Sequence, residues 1–192
     1  MVTIVVDSSS ENFINVQCWL HENRQLMRIT FIHAPTSFNV RILLWEELQQ
    51  ESTFNHLPWL CIRDFNEILY HWEKMGKRLA ENFRLTAFRD FLHACSLMDL
   101  ESKGCAFIWT NRRSGQENVK KRLDRALCTL EWRIAYPVAE VIALPAIGSD
   151  HSPLLLSLNP KTDRRRREFR YEAYWAEDED CRKLVKRTWD DS

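Results

Sequence analysis

The chain carries no net charge: 27 Lys plus Arg are balanced by 27 Asp plus Glu. Overall charge therefore gives no argument for a nucleic-acid partner, and any such binding has to come from a local patch. The six cysteines (18, 61, 95, 105, 128 and 181) form no C-x-x-C pair. Cys61, Cys95 and Cys128 sit in apolar runs and read as buried thiols, which fits a reducing compartment better than a disulfide framework. No run approaches the roughly 20 apolar residues of a membrane span. Val2 to Val6 is too short for a signal peptide, and no basic segment precedes it. The expectation is a soluble, intracellular protein of nucleus or cytoplasm with no membrane partner. Glycine is scarce, with four in 192 residues, so each is read as a turn.

What is present is a globular profile. Hydrophobic residues make up 45% and charged residues 28%, with eight Trp and ten Phe to bury. That is enough for one sizeable domain with its own core. Strands are expected over Met1–Val6, Phe13–Trp19 and Leu26–Ala34. A helix is expected from Phe38 to Gln50, with Val40, Leu43, Leu44 and Leu48 on its apolar side. Glu67–Glu81 reads as a loop. Asn82 would cap a helix to Ser96 whose apolar face is Phe83, Ala87, Phe91 and Ala94. Leu97–Leu100 and Cys105–Asn111 read as strands joined by a turn at Lys103-Gly104. Val119–Cys128 reads as one strand, Thr129–Tyr136 as a short capped helix, and Val138–Leu144 and Pro153–Leu158 as the last strands. Helices between groups of strands point to layered α/β or α+β architecture. Residues 159–168, with four consecutive Arg, have the composition of a basic linker, and Phe169–Trp189 reads as a further helix.

The chain is organised around Trp59-Leu60-Cys61-Ile62-Arg63-Asp64-Phe65-Asn66. A short apolar run ending in an acid and an amide reads as a buried strand with polar groups at its mouth. If the strand persists, Asp64 and Asn66 share a face. The plainer alternative is an Asx turn. Three other polar clusters stand at strand ends: His33-Ala34-Pro35, Arg122-Leu123-Asp124, and Ser149-Asp150-His151-Ser152. Singly each has a structural reading. His33 can be an ordinary histidine, Asp124 an ion-pair partner of Arg122 or Arg125, and Ser149-Asp150-His151 a capped turn.

Together, in the order x-A-P, W-x-x-I-x-D-F-N, R-L-D-R-A-L and S-D-H-S-P-L, these pieces resemble the endonuclease/exonuclease/phosphatase superfamily that includes deoxyribonuclease I. They look closest to the endonuclease domain of plant LINE-type (non-LTR) retrotransposons. Trp45-Glu46-Glu47-Leu48, Glu73-Lys74, Phe88-Arg89-Asp90-Phe91-Leu92, Phe107-Ile108-Trp109-Thr110-Asn111 and Phe169-Arg170-Tyr171-Glu172 look like that subfamily. The resemblance implies a four-layer sandwich over residues 1–158, two β-sheets face to face with helices outside. It implies Mg²⁺-dependent hydrolysis of DNA phosphodiesters, with Mn²⁺ as a substitute, and a reverse-transcriptase domain as partner in the parent protein, toward which the 169–192 helix would lead. On the same grounds Asp64 is the general base and Asn66 orients water or a phosphate oxygen. His151 stabilises the transition state and Asp124 orients His151. Asp150 and Asp64 bind metal, and His33 contacts the phosphate.

Three departures stand out. The family's early-strand Glu and the Asn before it have no counterpart, so the domain reads as truncated at its N-terminus and impaired or inactive. Arg63 stands where the family has Gly, beside Asp64, where it could pair with that acid and block the metal. His33 stands where the family has Tyr. The competing reading is a non-catalytic nucleic-acid-binding remnant, or a pseudogene product. The remnant would use Arg112, Arg113, Lys120, Lys121 and Arg122 on phosphates and Trp109 near the bases.

Overall fold

The computed structural model describes residues 1–21 and 24–160, together with the isolated positions 179, 183, 186 and 187. The chain divides into two compact units, Met1–Pro160 and Lys161–Ser192. The expected linker 159–168 lies, beyond its first two residues, outside the described residues. So does the Phe169–Trp189 helix, except for Glu179, Lys183, Lys186 and Arg187, which are helical.

The first unit is built on a six-stranded sheet, ordered β1 (Val2–Ser9), β2 (Phe13–Leu20), β3 (Gln25–His33), β4 (Trp59–Asp64), β10 (Asp124–Cys128) and β6 (Met98–Leu100). β3 and β4 run parallel through the crossover helix α1 (Phe38–Phe54), and the other pairs are antiparallel. Alternation along β4 explains the layering. Trp59 and Cys61 face one core, where α1 and α2 (Asn82–Ala94) pack. Leu60 faces the other core, with Trp132 of α3 (Leu130–Ala135) and Val141 of β11 (Glu140–Ala143). β11 lies between β12 (Leu154–Ser157) and the parallel strand β7 (Ser102–Gly104) in a second, three-stranded sheet. A third small sheet orders β5 (Lys74–Met75), β9 (Lys120–Lys121) and β8 (Trp109–Thr110). The expected mixed α/β class is observed. Among the described residues no helix is long and apolar enough to cross a membrane.

Several local expectations are corrected. α1 buries Arg41, Leu44, Trp45 and Leu48, leaving Val40 and Leu43 exposed. The stripe still has helical spacing, but one of its members is an arginine that a hydrophobic pattern cannot reveal. α2 buries Leu85, Phe88, Phe91 and Leu92 and exposes Phe83. The cause is the aromatic stack of Trp45 on Phe88 and Phe91, with ring centroids 5.2 and 4.7 Å apart. Asn82 does not cap α2: its side chain meets His71 instead. Lys103-Gly104 is strand rather than turn, because Gly104 runs so close to β11 that a Cβ would sit 2.6 Å from the Ala143 carbonyl. Val119–Cys128 is two strands in two sheets, β9 and β10, broken at Arg122-Leu123. β1 extends to Ser9 and presents Val2, Ile4, Val5 and Val6 exposed along the edge of the large sheet.

Candidate active site

The register of three neighbouring strands sets the site. His33 ends β3 opposite Asp64, which ends β4, and Asp64 lies directly opposite Asp124, which begins β10. The three side chains stand in a row at one rim of the sheet. His151, delivered by the loop before β12, closes the row: its Nδ1 is 2.6 Å from Asp124 Oδ2. These four residues line one cleft of about 460 Å³ together with Phe31, Ile62, Arg63 and Leu154.

Asp64 and Asn66 are brought together by a turn, not by a shared strand face. The strand stops at Asp64, Asn66 turns to φ +51°, and its backbone N–H donates to Asp64 Oδ1 at 2.8 Å. This is the Asx turn of the plainer sequence reading, and its acceptor, Asp64, lines the cleft. The Asn66 side-chain amide donates to the Ala34 carbonyl at 2.7 Å and to Asp64 Oδ2 at 3.3 Å. It thereby ties the end of β4 to the loop after β3.

Electrostatics separates the groups. Asp64 is 5% exposed, and burial, then the facing Asp124 carboxylate, raise its pKa above the ordinary value. The hydrogen bond that His151 donates to Asp124 raises the imidazole in turn, favouring imidazolium. His33 is exposed, with Nδ1 3.9 Å from Asp64 Oδ2. Arg122 and Arg125 do not pair with Asp124: both bond Asp99 and Glu73 instead. Nor does Arg63 pair with Asp64. Its side chain makes no hydrogen bond or ion pair among the described residues, and its backbone has φ +113°.

Asp150 stands apart. Its Oδ2 accepts the Trp109 indole N–H at 3.0 Å, a bond that lowers its pKa. It lines a second cavity with Trp109, Arg112 and Arg113. The segments 108–110 and 150–152 are stitched by the Ser152 N–H to Ile108 carbonyl and Thr110 N–H to Asp150 carbonyl bonds. Ser149 Oγ also accepts the His151 N–H at 3.1 Å, so the capped-turn reading holds beside the functional one.

For Mg²⁺ or Mn²⁺ the donors suit in kind, being hard carboxylate oxygens, but they are few. Among the described residues no group of three His, Cys, Asp or Glu is arranged to hold a metal ion. Mg²⁺ can be held by one or two carboxylates with water and substrate phosphate; of the three carboxylates named from sequence, Asp124 is committed to His151, which leaves Asp64 and Asp150.

Of the basic residues named from sequence, Arg112, Arg113, Lys120 and Lys121 fall on the third sheet and its loop, whereas Arg122 is turned inward and bound to Asp99 and Glu73. Lys121 lies opposite Trp109 on β8, its Nζ 5.7 Å from the indole centroid, and Lys120 lies opposite Thr110. Lys74, which the sequence reading left in a loop, stands directly opposite Lys121. Desolvation, then this neighbouring cation, lower the Lys121 pKa.

The sequence also missed the groups that brace the cleft. Arg41 donates to the Pro35 and Thr36 carbonyls and pairs with Glu67, each at 2.8 Å, so one buried guanidinium joins the loops after β3 and β4. Glu73 accepts the Leu69 N–H and pairs with Arg122 and Arg125, fixing the loop 69–73 to β10. No one-dimensional signal marks either residue as buried.

No protein-family model matches the chain, and no curated protein sequence matches it. Solved structures do. The endonuclease domain of TRAS1, a telomere-specific non-LTR retrotransposon, superposes with a TM-score of 0.59 at 12% identity, covering 81% of this chain and 68% of that one. D. rerio TDP2, complexed with a single-strand DNA product, gives 0.47 at 11% identity over 80% and 65%. An endonuclease/exonuclease/phosphatase family protein from Bacteroides thetaiotaomicron gives 0.48 at 12% over 79% and 64%. This chain thus spans about two thirds of the length of these structures. At such identities the likeness, carried by the first of them, is one of fold: the chain has the DNase I-like fold of that retrotransposon endonuclease domain.

Proposed function

We propose that the cleft hydrolyses phosphodiester bonds in DNA, nicking one strand in the manner of a retrotransposon endonuclease. The observation that carries the reading is the row His33, Asp64, Asp124 and His151, in which a 2.6 Å His–Asp pair stands beside a second, buried carboxylate. Two acids whose surroundings give them different partners are the usual arrangement for dividing base and acid work. Asp64, unpaired by any short-range cation, takes the proton of the attacking water. The water oxygen bonds to phosphorus as the bond to the leaving oxygen breaks. His151, held as imidazolium by Asp124, donates to a non-bridging oxygen as charge grows there. Asn66 orients Asp64, since both its N–H donors are already engaged. His33 is free to meet the phosphate from the open side. A bound Mg²⁺, held by Asp64 or Asp150, would neutralise the phosphate and the leaving oxygen. With so few donors we expect weak cation affinity and slow turnover.

A second reading, binding without cleavage, is favoured by one observation. Lys74 and Lys121 face each other across the β5–β9 pair, and like charges so placed are destabilising unless an anion lies over them. The test is relaxation of supercoiled plasmid in Mg²⁺. We expect slow nicking that falls by about 10²-fold or more in Asp64→Ala and in His151→Ala. Nicking that persists in both variants would sink the assignment. Absence of nicking together with salt-dependent DNA binding would leave the second reading in its place.

A further inference from the structure

We propose that Arg63 is a phosphate-binding residue of the cleft, gripping the DNA backbone beside the diester to be cut. The proposal rests on the reading of the cleft as a phosphodiesterase site. Three observations carry it. Arg63 has φ +113°, a region where glycine is at home and a side chain is strained. It lines the same cleft as His33, Asp64, Asp124 and His151. Its guanidinium is exposed and, among the described residues, without any hydrogen-bond or ion-pair partner.

The physical argument separates backbone from side chain. The twist at Arg63 falls one residue before Asp64, the buried last residue of β4. A glycine would supply that twist without strain. What arginine adds is a cation on the wall of a cleft whose other charged groups are two carboxylates and two imidazoles. The neighbouring cross-strand residue, Arg125, cannot serve, because it is fully buried and committed to Glu73 and Asp99. A free guanidinium matches a phosphate's paired oxygens better than any other side chain.

The test uses the full chain and a short duplex DNA followed by fluorescence anisotropy in the absence of divalent metal, with melting temperatures alongside. Arg63→Ala keeps the backbone strain and removes the cation. We expect its Kd to rise about tenfold and the slope of log K against log salt to fall by about 1. Arg63→Lys should keep the slope. Arg63→Gly should bind as weakly as the alanine variant yet melt at least roughly 2 °C higher than wild type, because the strain is gone. Affinity and slope unchanged in Arg63→Ala, or no DNA binding by wild type at low salt, would overturn the proposal. Binding is read without cleavage, so the two claims fail separately. A chain that binds through Arg63 but never nicks sinks the nuclease reading alone. One that nicks with an Arg63-independent Kd sinks this proposal alone.

Discussion

The two halves of the cleft are built differently. Asp64 and Asp124 sit at the ends of adjacent central strands, both nearly buried, with Arg41, Glu67, Asn66 and Ala34 lacing the loops beneath them. His151 comes from an exposed loop that, with Asp150 just outside the cleft, is held to the segment 108–110 by two backbone bonds and one indole bond. In the strand half burial raises the Asp64 carboxyl, and in the loop half the exposed Asp150 is held low by the Trp109 indole. Under the proposed function, position is fixed at the group assigned the proton, and the surface assigned to the polymer is left open. If that contrast is correct, substitutions below the strand half should damage fold and site together, and substitutions in the loop half should alter binding or pH response with the fold intact.

The largest effect on stability should come from Arg41→Met. The variant leaves Glu67 buried without its cation and frees the Pro35 and Thr36 carbonyls. Removing one partner of a buried pair costs about 3–5 kcal/mol. Urea unfolding should show a midpoint lowered accordingly with an unchanged slope. A variant as stable as wild type would mean that the loops after β3 and β4 are not joined by this contact.

That brace shows where the sequence was and was not legible. The D-F-N and S-D-H-S pieces could be read through the family resemblance, since singly each has a structural reading as well. The pairing of His33, Asp64 and Asp124 required only that three runs become neighbouring strands. Arg41 escaped notice because hydrophobic periodicity counts a buried arginine as solvent-facing, and that shifted the expected face of α1 to Val40 and Leu43. The break between β9 and β10 escaped for a related reason. Arg122 reads as one more polar residue in a strand, yet it turns inward to Asp99 and Glu73, and the chain changes sheets there. The relation of Asp64 to Asn66 came out through a turn, where strand alternation would have given the same proximity by a different geometry.

The pH response compares the halves directly. The proposed base must be ionised and the proposed donor protonated. Burial raises Asp64, so the acid limb of nicking should lie above the ordinary carboxylate range. Asp124 raises His151, so the alkaline limb should lie above the ordinary imidazole value. Asp124→Asn should pull the alkaline limb down. The same shift makes a stability statement. His151 holds its proton more tightly when folded, so its pairing contributes fully below the unfolded imidazole pKa and is lost as pH rises through the folded value. The stability gap between wild type and His151→Ala, from urea unfolding at stepped pH, should close across that window. A gap that is flat from acid to alkaline pH would show that the pair is not charged in the folded state.

The smallest effect is expected at Trp109→Phe. The ring is kept, so the neighbourhood of Lys121 stays filled, and only the indole N–H to Asp150 is lost. That bond is the first cause of the lowered Asp150 pKa, so carboxyl NMR should show Asp150 titrating closer to the ordinary aspartate value. Because Asp150 is fully exposed and outside the braced half, melting temperature should not change. Nicking at saturating Mg²⁺ should hold, while the Mg²⁺ concentration needed for half-maximal rate should move if Asp150 meets the cation. A lowered melting temperature would place the Trp109–Asp150 contact among the braces of the fold and dissolve the distinction between the two halves.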